Sequence, residues 1–205
     1  MRNSLTSVIA VGLAAAVAAG AAGCGGARTA GGLPAAHSPA KHTPGARTAV
    51  VHEGRGVNAA EVYIQVLRRY LGTPAENSFP GRTFNTVYVL DLAYRDAADP
   101  NGKHDHGTPI TAPTRTQVTA ALAGTARVVF VASRSSVIEP RGCGVVKNGG
   151  ILITLGPPAR DARRLEVPIN GYVACLGATW LTYILQDQPG SGWHVTGTTG
   201  TMAIS

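Results

Sequence analysis

Residues 58–205 are predicted to form one α+β domain: a mostly antiparallel, curved sheet with two helices on one face and one disulfide. Three observations carry this prediction. Two stretches of helical periodicity with capping residues fall before residue 125, after which the chain turns to strand-like runs separated by Gly and Pro. Cys143 and Cys175 remain as an even pair within this region. The region's 148 residues suffice for one apolar core and are too few for two.

The first helix starts after Asn58, a residue whose side chain accepts from orphan backbone N–H groups, with Glu61 three residues on as a capping-box acid. Val62, Val66, Leu67, Tyr70 and Leu71 make its apolar stripe, Arg68 and Arg69 suit its C-terminal dipole, and Gly72-Thr73-Pro74 stops it. Thr86 to Tyr94 reads as a single strand. Val87, Val89 and Ala93 face one way with Asp91, and Tyr88, Leu90, Leu92 and Tyr94 face the other. After a polar loop, Thr114 and Gln117 pair as a capping box for a short helix. That helix turns Val118, Ala121 and Leu122 inward and ends at Gly124.

The rest reads as strands. Ala126 to Ala132 is a nearly continuous apolar run, as in a central strand. Val145-Val146 and Ile151 to Leu155 flank Asn148-Gly149, which predicts a hairpin. Leu165 to Ile169 contains Pro168 and is expected at an edge or bulge. Tyr172 to Gln186 reads as one long strand bent at Gly177, and Pro189-Gly190 turns the chain into a last strand from Trp193 to Thr199. In element order alone, residues 58–205 are similar to the cystatin and nuclear-transport-factor-2-like cone folds, in which a curved sheet wraps a helix.

Upstream of this domain the chain changes character. Arg2 is followed by an uncharged run from Val8 to Ala22, 15 residues and so short of a bilayer span, and small residues follow. The run closes on Ala21-Ala22-Gly23-Cys24, which resembles the lipobox of bacterial lipoproteins. The resemblance implies removal of residues 1–23 as a signal peptide and a diacylglyceryl group on Cys24. It implies anchoring on the extracytoplasmic face of the cell membrane; ordinary secretion with Cys24 unmodified is the alternative. Residues 24–57 are rich in Gly, Ala, Pro and Thr, and this composition predicts a disordered tether. Ser38-Pro39-Ala40-Lys41 matches the Ser-x-x-Lys spacing of penicillin-binding enzymes, but the partner motifs are absent.

An exported chain also frames the cysteines and the charge. With Cys24 taken by lipid, Cys143 and Cys175 are expected to be bonded, the alternatives being two buried thiols or a metal site. Without Arg2, 17 Lys and Arg face 11 Asp and Glu, a formal +6. No basic run exceeds two residues and no aromatics interleave with them, so nucleic acid is not an expected partner. The membrane, through Cys24, and a cell-envelope protein or polymer are the expected partners.

Candidate chemistry is sparse. The densest polar cluster is the loop carrying Asp96, Asp99, Asn101, Lys103, His104, Asp105 and His106. Its Asp96, Asp99, His104, Asp105 and His106 supply ligand types for a divalent metal, but Lys103 opposes a cation and the closing Glu of a calcium-binding EF-hand loop is missing. Asp91, inside an apolar strand, needs a partner such as Arg82 or Arg127, or else serves as a general acid or base. His194 beside Trp193 is read as packed or exposed. Signatures of serine hydrolases, zinc peptidases, phosphate loops and dinucleotide folds are absent. The expected role is therefore a surface binding or interaction domain with no cofactor. The alternative is an extracytoplasmic hydrolase or metal-dependent enzyme built on Asp91 and the loop from Asp96 to His106.

Overall fold

The computed structural model describes residues 57–140, 142–161 and 163–205. The leader, Cys24, the Ser38/Lys41 pair and all but the last residue of the tether lie outside the described residues.

Helix α1 spans Ala59–Gly72. Its N-terminus is capped as the sequence predicts: Asn58 Oδ1 accepts from Ala60 N at 3.1 Å and Glu61 N at 3.5 Å. Glu61 does not close the capping box. Its Oε1 accepts from Trp193 N at 2.8 Å, tying the start of α1 to a strand far along the chain. Val62, Val66, Leu67 and Tyr70 are fully buried on the predicted stripe. Burying each aliphatic side chain contributes about 1.5–3 kcal/mol before entropy is counted. A third helix was not expected: α2, Pro74–Asn77, begins with the proline that stops α1, because proline fits the first helical turn. Helix α3, Ala112–Leu122, starts earlier than its sequence suggests, with Thr111 as its cap and Pro113 in its first turn.

The chain is α+β with a mostly antiparallel main sheet, and its first half holds the exception. Strand β1 (Thr86–Leu90) pairs in parallel with both β4 (Arg127–Val131) and β5 (Ile151–Leu155). The crossover from β1 to β4 contains β2 (Leu92–Tyr94), β3 (Gly107–Pro109) and α3; β2 and β3 form a small antiparallel pair of their own. Strand β5 then pairs antiparallel with β7 (Arg164–Ala174), β7 with β8 (Gly177–Gln188), and β8 with β9 (Gly192–Ile204). Strand β6 (Ala159–Asp161) adds to β7 beyond the end of β5. The order is β4-β1-β5-β7-β8-β9.

Several predicted strands end up with other partners. Thr86 to Tyr94 is two strands, broken at Asp91: its N–H donates to Val131 O and its carbonyl accepts from Ile110 N, so the chain leaves the main sheet there. The apolar run after Ala126 forms β4, an edge strand, its apolar character explained by cover from α3 and the strap described below. Asn148 and Gly149 do adopt the positive φ angles of a hairpin turn, 58° and 60°. The strand that follows nevertheless pairs with β1 and β7, while Val146 bridges to Ile138. Pro168 lies inside β7 between two neighbours. Its carbonyl accepts from Gly156 N at 2.7 Å, so its missing N–H faces the gap between β5 and β6, where no ladder bond is lost. A methyl group at Gly156 would come within 2.6 Å of the Pro168 ring. Tyr172 to Gln186 is not one bent strand. It turns back at Cys175-Leu176, with Ala174 opposite Gly177, so β7 and β8 form a hairpin.

Alternation along β1 divides the core. Val87 and Val89 join the large cluster with α1, α3 and the β7–β8 interior, including Val66, Leu122, Ile169 and Leu185. Tyr88 and Leu90 join a smaller cluster with Val137, Val146 and Leu152. The irregular strap between β4 and β5 supplies Val137 and Val146. Among the described residues, α1, α3 and the sheet thus share one apolar cluster, and the strap closes a second. Among the described residues, no helix is long and apolar enough to cross a membrane.

Candidate functional site

Loops after parallel strands are common places for sites in α/β sheets, and the predicted polar cluster lies there, beyond the C-terminal end of β1. Asp91 ends that strand. Its Oδ2 lies 3.5 Å from Arg115 Nη1, and both side chains are partly exposed. The partner is thus Arg115, on the first turn of α3, rather than Arg82 or Arg127. Arg127 begins β4, at the opposite end of the parallel strands. A paired, partly exposed carboxylate at a strand end needs no catalytic explanation.

The loop from Asp96 to His106 is wound by its own hydrogen bonds. Ala97 N donates to Tyr94 O, Asp99 N to Asp96 O and Gly102 N to Asp99 O, each at 3.0 Å. Asp99 Oδ1 accepts from Asn101 N, and Asp96 Oδ2 from His104 N. Gly102 is required by close approach, since a Cβ there would sit 2.7 Å from the Asp96 carbonyl. The kink between the histidines falls at His104 itself, at φ 53°. Its ring packs on Tyr94 with centroids 5.0 Å apart, and its Nε2 is 3.9 Å from Asp96 Oδ1.

Asp96, Asp99, Asp105 and His106 line an open depression of about 440 Å³ with Arg95 and Lys103. Among the described residues, no three His, Cys, Asp or Glu side chains converge as a metal centre. Of the predicted set, Asp96, Asp99, Asp105 and His106 share this depression, while the His104 ring packs on Tyr94. Titration calorimetry with Zn²⁺ and Ca²⁺ is expected to show no stoichiometric binding at micromolar or tighter affinity; such binding, lost in His104→Ala, would contradict this geometry. His194, on β9, lies 3.1 Å from both the carbonyl and hydroxyl oxygens of Ser191 and meets no acid.

The best-organised polar cluster is one the sequence did not single out. Glu76, on α2, receives a two-nitrogen hydrogen bond from Arg69 and a 2.8 Å bond from the Tyr183 hydroxyl of β8. Nearby, the Tyr70 hydroxyl pairs with Thr179, and Asn77 donates to Tyr70 O at 2.7 Å and accepts from Phe79 N at 2.8 Å. Burial pushes the Glu76 carboxyl up, but the bonds from Arg69 and Tyr183 outweigh it and hold the group below its ordinary value. The Tyr183 hydroxyl is raised, first by burial and then by its bond to Glu76; burial alone raises Tyr70 against the effect of Thr179. The polar groups pair with one another, so the cluster is a clamp between the helices and the sheet. The one sequence signal was an acid placed just after a helix stop.

The clamp makes stability pH-dependent. A carboxylate held low in the folded state stabilises fully above its unfolded pKa, about 4.3, and the contribution is lost as pH falls through the folded value. Glu76→Gln is expected to cost about 1–2 kcal/mol at pH 7 and much less at pH 3, read by urea unfolding at both. An equal cost at both pH values would show that the charge is irrelevant.

Cys143 and Cys175 are bonded, with Cα atoms 5.3 Å apart. The bridge joins the strap to the β7–β8 turn, and it removes the alternatives of two buried thiols and of a metal site. Around it, the Tyr172 hydroxyl donates to Gly144 O at 2.7 Å, and the Arg134 guanidinium lies 3.9 Å from the centre of the Tyr172 ring. Comparison of the chain with protein-family models, curated proteins and solved structures found no match.

Proposed function

We propose that the protein is a membrane-anchored extracytoplasmic lipoprotein whose folded domain works by binding, with a protein or polymer of the cell envelope as its partner. The carrying observation is the Cys143–Cys175 disulfide in a chain whose uncharged run from Val8 to Ala22 closes on Gly23-Cys24. Such bonds persist in oxidising compartments, which is where that leader would deliver the domain. Binding is favoured over catalysis because Asp91 is occupied by Arg115, the loop from Asp96 to His106 assembles no ligand set, and the buried polar clamp is closed. In this reading the two longer helices share one face of a curved sheet. Support comes from Val66 and Leu67 of α1 and Val118 and Leu122 of α3, which enter the same apolar cluster.

Expression in a bacterial host tests the anchor. The wild-type chain is expected in the membrane fraction, with a diacylglyceryl mass on a first residue that was Cys24; Cys24→Ala is expected to lack the lipid mass and to be released by a high-salt wash that leaves the wild type bound. A Cys24→Ala protein that stays membrane-bound, with no lipid mass on the wild type, overturns the reading.

A further inference from the structure

The large apolar side chains left exposed among the described residues are Val145, Leu176, Met202 and Ile204, and all four lie at one end of the main sheet. Leu176, 89 % exposed, is the tip of the β7–β8 turn. Cys175 beside it is bonded to Cys143, two residues before Val145, and Ile204 of β9 sits opposite Thr179 near the start of β8. The disulfide holds Leu176 and Val145 on a stapled turn, so the apolar tip is presented with little freedom to fold back.

Charge is divided along the same axis. Arg82 precedes β1, Arg127 opens β4 and Lys147 precedes β5; all three strands start at the apolar end, as the pairing of Leu152 with Tyr172 shows. Most of the acids lie at the other end, interleaved there with Arg95, Lys103, Arg115, Arg160, Arg163 and Arg164. The loop from Asp96 to Asp105 follows β1, and Asp161, Glu166 and Asp187 lie where β6, β7 and β8 meet. Among the described residues, the acids near the apolar end are Glu139, on the strap, and Glu76, which Arg69 neutralises.

We infer that this basic, apolar end docks on an anionic lipid surface, inserting Leu176 and its neighbours at the level of the headgroups. A protruding apolar tip among cations is the chemistry of interfacial binding: apolar area partitions into the acyl boundary while Lys and Arg meet anionic headgroups. The inference rests on the proposed lipoprotein reading for its setting and gives the domain a second membrane contact. The chain allows it. Helix α1 begins at the far end, where Glu61 meets Trp193, so the residues before it must span the length of β8, about 40 Å for 12 residues. The 33 residues from Cys24 to Gly56 reach about 110 Å when extended. The end that carries both signs of charge would then face away from the membrane.

The test uses the chain from residue 24 with Cys24→Ser, so its result is independent of lipidation. Vesicles of phosphatidylglycerol and of phosphatidylcholine are floated with this chain. Binding to phosphatidylglycerol is expected, weakened by raised salt, with much less binding to phosphatidylcholine. Leu176→Ser should lower the partition coefficient by about tenfold or more. Arg82→Gln with Arg127→Gln should lower it roughly tenfold, with thermal unfolding unchanged. No binding to phosphatidylglycerol, or binding indifferent to Leu176→Ser, overturns the inference. So does self-association of the chain that Leu176→Ser abolishes, which would assign the patch to a second copy.

Discussion

Removing the Cys143–Cys175 bond, by reduction or by Cys143→Ser with Cys175→Ser, is expected to lower the unfolding free energy by about 3–4 kcal/mol. The two cysteines are 32 residues apart, and closing a loop of that size in the unfolded chain is worth about 3.7 kcal/mol in the chain-entropy model. The native side adds to it. The strap that the bond secures is held to β7 by Val146 N to Val173 O at 2.9 Å, with Lys147 N to Val137 O and Glu139 N to Val145 O bracing it internally. Val137 and Val146 ride on that strap and close the smaller apolar cluster over Tyr88, Leu90 and Leu152. A loosened strap exposes them. Urea unfolding of oxidised and reduced protein measures the difference, and in a domain of this size the melting temperature should fall by about 10 °C. Hydrogen exchange at the Val146 amide should quicken even under conditions where the reduced domain stays folded. A stability change under about 1 kcal/mol would show that the strap holds itself.

Gly171→Ala is expected to be comparably damaging, about 3 kcal/mol or more. Gly171 has an ordinary strand backbone, so the penalty is steric. A Cβ at this position would lie 1.9 Å from the Tyr70 hydroxyl oxygen, 2.6 Å from Cζ and 2.9 Å from Cε1. Tyr70 cannot withdraw. Its side chain is fully buried between α1 and the sheet, and its hydroxyl is held by Thr179. The strand would have to move away from the helix, opening the main core. Tyr70→Phe alone should cost about 1–2 kcal/mol by leaving the buried Thr179 hydroxyl unpaired. In the double variant the closest overlap is gone while the ring contact remains, so part of the Gly171→Ala cost should return. A double-mutant cycle by urea unfolding decides it: a coupling of 1 kcal/mol or more supports the clash, and simple additivity would place the damage elsewhere.

The candidate site was legible in outline only. Composition located the polar loop after the first strand, and the structure winds Asp96 to His106 beyond β1 as a hydrogen-bonded unit. The partner of Asp91 was not legible. Arg115 is 24 positions downstream and reaches it only because α3 returns antiparallel to β1 and begins beside the strand's end. The clamp at Glu76 was invisible for the same reason, as its Tyr183 partner lies 107 residues away. The basic and apolar end of the sheet is assembled from four separate stretches of chain, none of which is unusual alone.

What the sequence by itself determined was local: the Asn58 cap and the buried stripe of α1, the inward Val118 and Leu122 of α3, the alternation of β1 into two clusters, and the turn at Pro189-Gly190. These follow from backbone preferences and side-chain periods that act within a few residues. Only the tertiary structure decided which strands pair. Asn148-Gly149 has hairpin angles without a hairpin, Pro168 sits inside the sheet opposite a gap, and Cys175-Leu176 turns the chain where a continuous strand was expected. The choice is collective. Strand β5 gains more by lying between β1 and β7, buried on both faces, than by folding back on two valines, and parallel partners joined by a long crossover leave no mark in the sequence between them.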